Sequence, residues 1–320
     1  MKKKIILFVR VIVSAGLIGL LLWLMRGDLK NIVSIIAKCQ LKFILMAAIV
    51  MLANIISLAY RMKVIFVGED LNISLMRSMQ LTFIGYFFNN FMPTAVGGDI
   101  VKAHCASVLN GKKLQSYASV LMDRILGLYT FLIVASAALL IYRGEVQLAT
   151  IKVILSFCLV LGIVMFIIVT EPRIVASIER FLIRIKSLRL GERLHAAYKI
   201  ICDYKNRKDV VLKSIITSIA GQCLHFFAIY LFFRSLGVEV HIGDIFLIMP
   251  IVSFVSMLPS IGGLGLREGA IVAFFTPVVG REISFAMSIL YLAGLFVIGL
   301  IGGIIYLWWS LKGYHLKIEE

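Results

Sequence analysis

Hydrophobic residues in this chain come in long blocks, with the polar residues gathered between them rather than alternating with them. Six blocks, at about 5–25, 43–60, 114–142, 153–170, 210–233 and 283–309, are long enough to be read as transmembrane helices. At 1.5 Å per residue, about 20 apolar residues cover the roughly 30 Å of a hydrocarbon core. The first block follows Lys2-Lys3-Lys4 and carries only Arg10. It is too long for a signal-peptide core and lacks a small-x-small cleavage site, which predicts a retained helix.

Two further apolar regions, about 75–110 and 243–278, are interrupted. The arms of the first, 79–92 and 99–110, reach only about 16–21 Å as helices. Arg61, Lys63 and Arg77 precede it and Lys112 and Lys113 follow, so both flanks fall on one face. A chain that enters and leaves by the same side on short arms forms a re-entrant hairpin. The second region, with arms 244–258 and 266–276, does the same from the opposite face, between the segment Arg234 to Gly243 and Arg281.

The interruptions are built alike. Phe91-Met92-Pro93-Thr94, then Gly97-Gly98 and Lys102, parallels Met257-Leu258-Pro259-Ser260, then Gly262-Gly263 and Arg267. Proline removes an amide donor and ends the first arm. Paired glycines permit positive φ and close backbone approach. Asn89 and Asn90 can serve freed backbone groups, and the helix N-termini after the glycines can meet an anion. Each copy follows two full crossings and precedes a third, and an odd number of crossings inverts the second half. The expected fold class is therefore an all-α polytopic membrane protein. It has about six full transmembrane helices plus two re-entrant helical hairpins arranged as an inverted repeat. The domain is a single one over 1–320, with repeats at about 1–145 and 148–320. Short, Gly/Pro-interrupted segments in corresponding positions of two halves point to a transporter binding site. The alternative is that the hairpins only plug a helix bundle.

Composition agrees with a membrane protein. The chain is 61% hydrophobic with mean hydropathy +1.00, whereas soluble domains hold about 45–50% apolar residues. The formal charge of +16 is spread over the loops between blocks, which reports orientation and anionic lipid rather than nucleic acid. The linker 171–209, with about ten Lys or Arg, is expected as cytoplasmic surface helices. With the N-terminal lysines and with Lys312 and Lys317, it predicts a multi-pass protein of the cell membrane with both termini cytoplasmic. The segment 26–42, with Arg26, Lys30, Lys38 and Lys42, falls outside by this count, against the rule. Its periodicity suggests an interfacial helix. Five scattered cysteines show no metal, redox or disulfide spacing. The five histidines lack ligand spacing, and Gly263-Leu264-Gly265 lacks the strand and lysine of a nucleotide loop. Neither a metal nor a cofactor is expected. His225, beside Gln222, is more readily a packing histidine than a proton relay.

Ionisable groups at membrane depth are costly and so are usually paired and inward-facing. The candidates are Asp99, Lys102, Asp123, Arg124, Arg267 and Glu268. Lys102, Arg124 and Arg267 are expected to hold a lipid phosphate in turn, with the acids pairing them when the site is empty. Neighbouring helix residues diverge by about 100°, so Asp123 and Arg124 each pair elsewhere, with Asp99 or Glu268 as candidate partners. A purely structural role for that pair is equally open. With Asn89, Asn90, Pro93, Gly97, Gly98, Pro259, Gly262, Gly263 and Gly265, these residues form the expected substrate site.

At these motifs the sequence resembles a known family. Asn90-Phe91-Met92-Pro93 with Gly97-Gly98-Asp99, and Leu258-Pro259-Ser260-Ile261-Gly262-Gly263-Leu264-Gly265-Leu266-Arg267-Glu268-Gly269, are similar to the two signatures of the flippase-like membrane family. That family includes the transmembrane region of lysylphosphatidylglycerol synthase. Asp123-Arg124 fits its acidic-Arg pair, and Lys102 departs from the Arg found there in many members, losing a bidentate fork. The resemblance implies movement of a phospholipid or polyprenyl-linked head group between leaflets. Full synthases add a soluble aminoacyl-transfer domain, which is not found here after the membrane part, so lysyl-lipid synthesis is not expected of these residues alone. The expected partners are membrane lipids with anionic or lipid-linked head groups. The alternatives are a membrane subunit that assists or performs lipid-linked aminoacyl or sugar transfer, and a scaffold for a separate lipid-modifying enzyme.

Overall fold

A computed structural model describes residues 29–92, 97–141, 203–257 and 263–312, with isolated positions between 153 and 199. The spans read at 5–25 and 153–170, most of the basic linker, and the turns at Pro93 and Pro259 lie outside the described residues. Those residues hold nine α-helices and no strand. In order they are α1 (Leu29–Ala37), α2 (Leu41–Gly68), α3 (Leu75–Phe91), α4 (Gly97–Asn110) and α5 (Lys113–Ile141). After a short 3-10 turn (Tyr204–Asn206) come α6 (Lys208–Ser235), α7 (Ile242–Ser256), α8 (Leu266–Val279) and α9 (Arg281–Leu311).

Four helices, α2, α5, α6 and α9, are long and apolar enough to cross a membrane. Their outer faces stay apolar where nothing covers them. Leu45, Ile49, Leu52 and Ile56 on α2, and Val297, Leu300, Ile304 and Leu307 on α9, are all exposed at helical spacing. Contiguous bare apolar stripes of this size mark contact with lipid. Inner faces of these helices meet α7 and α8 in a core cluster that includes Ile55, Phe226, Phe233, Ile248, Phe275 and Met287.

Four of the five shorter helices pack as two pairs, α3 with α4 and α7 with α8. The first arm of each pair also packs on a long helix of the other half, α3 on α9 and α7 on α5. Glycine makes the α3–α9 approach possible: a Cβ at Gly302 would strike the carbonyl oxygen of Phe83. Asn90 donates from Nδ2 to the Leu295 carbonyl at 3.1 Å, so the α3 end lies level with the middle of α9.

At one end of the bundle Lys112 Nζ donates to the Asp70 carbonyl (3.1 Å) and Arg207 pairs with Glu69 (3.1 Å). The reading of the whole linker as surface helix fails at this end. Tyr204 is buried and donates to the Ile65 carbonyl at 3.2 Å, because its ring fills a gap beside Met122 and Leu126. At the other end the Gln40 amide donates to the Ser235 carbonyl (2.8 Å), and α1 packs Ile32 on Phe285 and Ala286. The segment 26–42 thus includes a helix seated on protein.

Candidate functional site

α2 continues well past the expected boundary at 60. Its apolar stretch Val64-Ile65-Phe66-Val67 lies beyond Arg61, which places that arginine inside the helix. Arg61 is therefore not a flanking loop charge as read above but a buried one. Its Nε donates to Asp123 Oδ1 at 2.7 Å and its Nη1 to Ser218 Oγ at 2.9 Å. Lys102 Nζ lies 3.4 Å from Asp123 Oδ2 and 3.6 Å from Asp99 Oδ1. Arg124 closes the series by donating from Nε to Asp99 Oδ2. Asp123 and Arg124 thus pair elsewhere, as their divergence around the helix requires. Arg124 finds Asp99, while Asp123 finds Arg61 and Lys102 rather than Glu268.

These five side chains alternate in sign along a ladder joining α2, α4 and α5. All of them line a cavity of about 300 Å³, with three cations against two carboxylates. Asn89, Gly127, Ser256, Met257 and Gly263 share its wall. Gly127 is mid-way along α5, so Met257 and Gly263, which flank the α7–α8 break, share a wall with the middle of that helix. A second cavity of about 170 Å³ adjoins the first and is lined by Asn90, Arg267, Tyr291 and Leu295 among others. The ends of both helix pairs therefore meet around one space.

The two glycine motifs do different work. α4 starts at Gly97 itself, and the Gly98 amide donates to Asn89 Oδ1 at 2.9 Å. A Cβ at Gly98 would collide with the Gly85 carbonyl and the Asn89 carboxamide, so this glycine serves close approach. In the second copy Gly263 and Gly265 have φ of +78° and +82°, which serves the turn. There the helix starts only at Leu266, and Glu268 Oε2 accepts the Gly265 amide at 2.7 Å. The N-terminal amides of Gly98 and Gly265 are thus occupied by Asn89 and Glu268. Arg267 donates from Nε (3.0 Å) and Nη2 (2.7 Å) to Glu268 Oε1, with its guanidinium 5.4 Å from the Tyr291 ring centre.

Of the residues expected at the site, Asn89, Asn90, Asp99, Lys102, Asp123, Arg124, Gly263 and Arg267 line the two cavities. Gly97, Gly98, Gly265 and Glu268 line neither cavity, but Gly98 holds the lining Asn89 and Glu268 the lining Arg267. Pro93, Pro259 and Gly262 lie outside the described residues. Arg61, Asn54, Tyr86, Ser253 and Tyr291 were not anticipated, and only Arg61 left a signal, in the apolar tetrapeptide beyond it. His225 lies 3.5 Å from the Tyr291 hydroxyl. Among the described residues no group of three or more His, Cys, Asp or Glu could hold a metal ion.

The family described as "Lysylphosphatidylglycerol synthase TM region" matches residues 7–303. A UPF0104 membrane protein of Pyrococcus horikoshii is 24% identical, covering 94% of this chain and 96% of its own length. A UPF0104 membrane protein of Methanothermobacter thermautotrophicus is 27% identical over 83% of this chain and 82% of its own. No solved structure matches the chain. With four apolar helices of spanning length and a family match over nearly its full length, this chain is a membrane protein that belongs to the lysylphosphatidylglycerol synthase TM region family.

Proposed function

We propose that the chain carries the phosphate-bearing head group of a phospholipid or polyprenyl-linked lipid from one leaflet to the other. The observation that carries this reading is the cavity, which is walled by the ends of both helix pairs and holds one more cation than carboxylate. Transporters place substrate near the bilayer midplane, between repeats, at helices broken there. The repeated order supports such repeats, at about 1–145 and 148–320. Helices of 28, 17, 14 and 29 residues are followed by helices of 28, 15, 14 and 31. The paired helices reach about 21–26 Å, short of a full crossing, which supports re-entrant hairpins entering from opposite faces. Both termini are cytoplasmic in this reading, in the cell membrane.

In the empty site the carboxylates hold the cations. A phosphate arriving beside Lys102 and Arg124 offers oxygens that compete with Asp99, and Arg267 in the adjoining cavity offers the next position. The ladder so replaces water around a charge that lipid alone rejects.

The test is purified protein reconstituted in vesicles, with lipid asymmetry followed over time. Arg267→Ala and Asp99→Asn each slow translocation by roughly ten-fold or more, the scale expected when a buried charge loses its partner. Unchanged translocation by well-expressed Arg267→Ala overturns the assignment. A covalently altered lipid product supports the transferase alternative instead, and neither movement nor product supports a scaffold.

A further inference from the structure

We infer that His225 takes up a proton when an anionic ligand fills the joined cavities, so that the chain carries anion and proton together. This rests on the proposed transport of a phosphate-bearing head group by the same site. His225 belongs to α6 and lines both cavities. Among the described residues that line them, it is the only one whose unperturbed titration falls between about pH 5 and 8. Its Nε2 lies 3.5 Å from the Tyr291 hydroxyl on α9. A phenolic hydroxyl both donates and accepts, so turning that one O–H suits the imidazole in either charge state. The Tyr291 ring in turn faces Arg267, whose guanidinium is 5.4 Å from the ring centre. His225 therefore shares one cavity with the charge ladder and the other with Arg267.

The charges around it come from several helices. α2 brings Arg61, α4 brings Asp99 and Lys102, and α5 brings Asp123 and Arg124. α8 brings Arg267, with Glu268 paired to it. From α3 and α9 come the phenols Tyr86 and Tyr291, and from α7 the hydroxyls Ser253 and Ser256 but no ionisable group. Four cations thus meet three carboxylates. In the empty site an imidazolium would raise the excess from one to two, away from bulk water, where like charges repel most strongly. A bound phosphodiester removes the excess, and a proton on His225 then only restores the net charge of the empty site. Anion and proton therefore each favour the binding of the other, by the same factor. The proton comes from water on the loading face and returns to water on the other. The pair carries no net charge, so membrane voltage does no work on its crossing, and a pH difference supplies the drive.

The full chain purified and mixed with phosphatidylglycerol tests this, because that phosphodiester stays ionised across the range. Retained lipid is read by native mass spectrometry, and proton uptake by a pH dye in weak buffer. Lowering the pH from about 8 to about 6 is expected to raise retention roughly five-fold or more, with protons taken up as lipid binds. His225→Gln is expected to abolish both the uptake and the pH dependence. A chain with Gln in place of His104, His195, His241 and His315 is expected to keep both. Retention independent of pH, uptake undiminished in His225→Gln, or uptake lost from the folded four-histidine variant overturns the coupling. Translocation in vesicles with an imposed pH difference separates the two readings. Movement indifferent to that difference removes the coupling and leaves transport standing. Coupled binding without movement removes transport and leaves His225 as the proton site. No retention at any pH overturns both.

Discussion

Arg61 shows how one residue changes role once its neighbours are known. Its Nε and Nη1 reach two different helices, Asp123 on α5 and Ser218 on α6. Breaking a buried pair usually costs about 3–5 kcal/mol because a charge is left uncompensated. Lys102 remains 3.4 Å from Asp123, so Arg61→Ala should fall near the low end, about 3 kcal/mol. Unfolding in detergent measures this. Arg61→Lys should recover only part of the loss, since one ammonium cannot reproduce a fork that grips two helices. A loss below about 0.5 kcal/mol, as is usual for exposed pairs, would mean that the ladder contributes little to folding.

Among the helices, the α3–α9 contact sets where the first break stands. Gly302 lies against the Phe83 carbonyl and Gly303 against the Phe87 ring. Backbone cannot yield as a side-chain tip can, so Gly302→Ala must separate the helices. Overpacking of this kind typically costs about 1–3 kcal/mol. It would also move Asn90 away from Leu295 and disturb the smaller cavity. The expected outcome is a lower melting temperature together with weaker lipid retention. Gly111→Ala, strained by its φ of +68° but lining neither cavity, lowers stability alone and serves as the control for retention. Retention by Gly302→Ala equal to that of the control would detach the α9 contact from the site.

For the whole molecule, the loop at 69–74 and the segment 204–207 gather at one end and 236–241 and Gly280 at the other, as the Arg207–Glu69 and Gln40–Ser235 contacts require. Single cysteines at Gly111 and Asn206 should therefore react with an impermeant thiol reagent from one side of a sealed vesicle, and those at Gly237 and Gly280 from the other. Natural Cys39, Cys105, Cys158, Cys202 and Cys223 are replaced first. Labelling of Gly111 and Gly237 positions from the same side contradicts the proposed topology.

Much of this architecture was legible in the order of residues. The four long apolar helices, the two interrupted pairs and the paired Gly-Gly motifs follow from local rules, because lipid demands long apolar runs and proline and glycine act within a few residues of themselves. Asp99, Lys102, Asp123 and Arg124 stood out because charge inside an apolar run is costly wherever it occurs. Of their partners, Asp99 for Arg124 was among the candidates, whereas Arg61 and Lys102 for Asp123 were not legible. Arg61 sits 62 positions from Asp123, and its place near the end of an apolar run resembled an ordinary loop flank. Asn54, Ser253 and Ser256, which line both cavities, carry no motif at all. Only helix packing brings α2 and α7 to one cavity, and only the hydrogen bonds made there decide which of their atoms are left to meet a ligand.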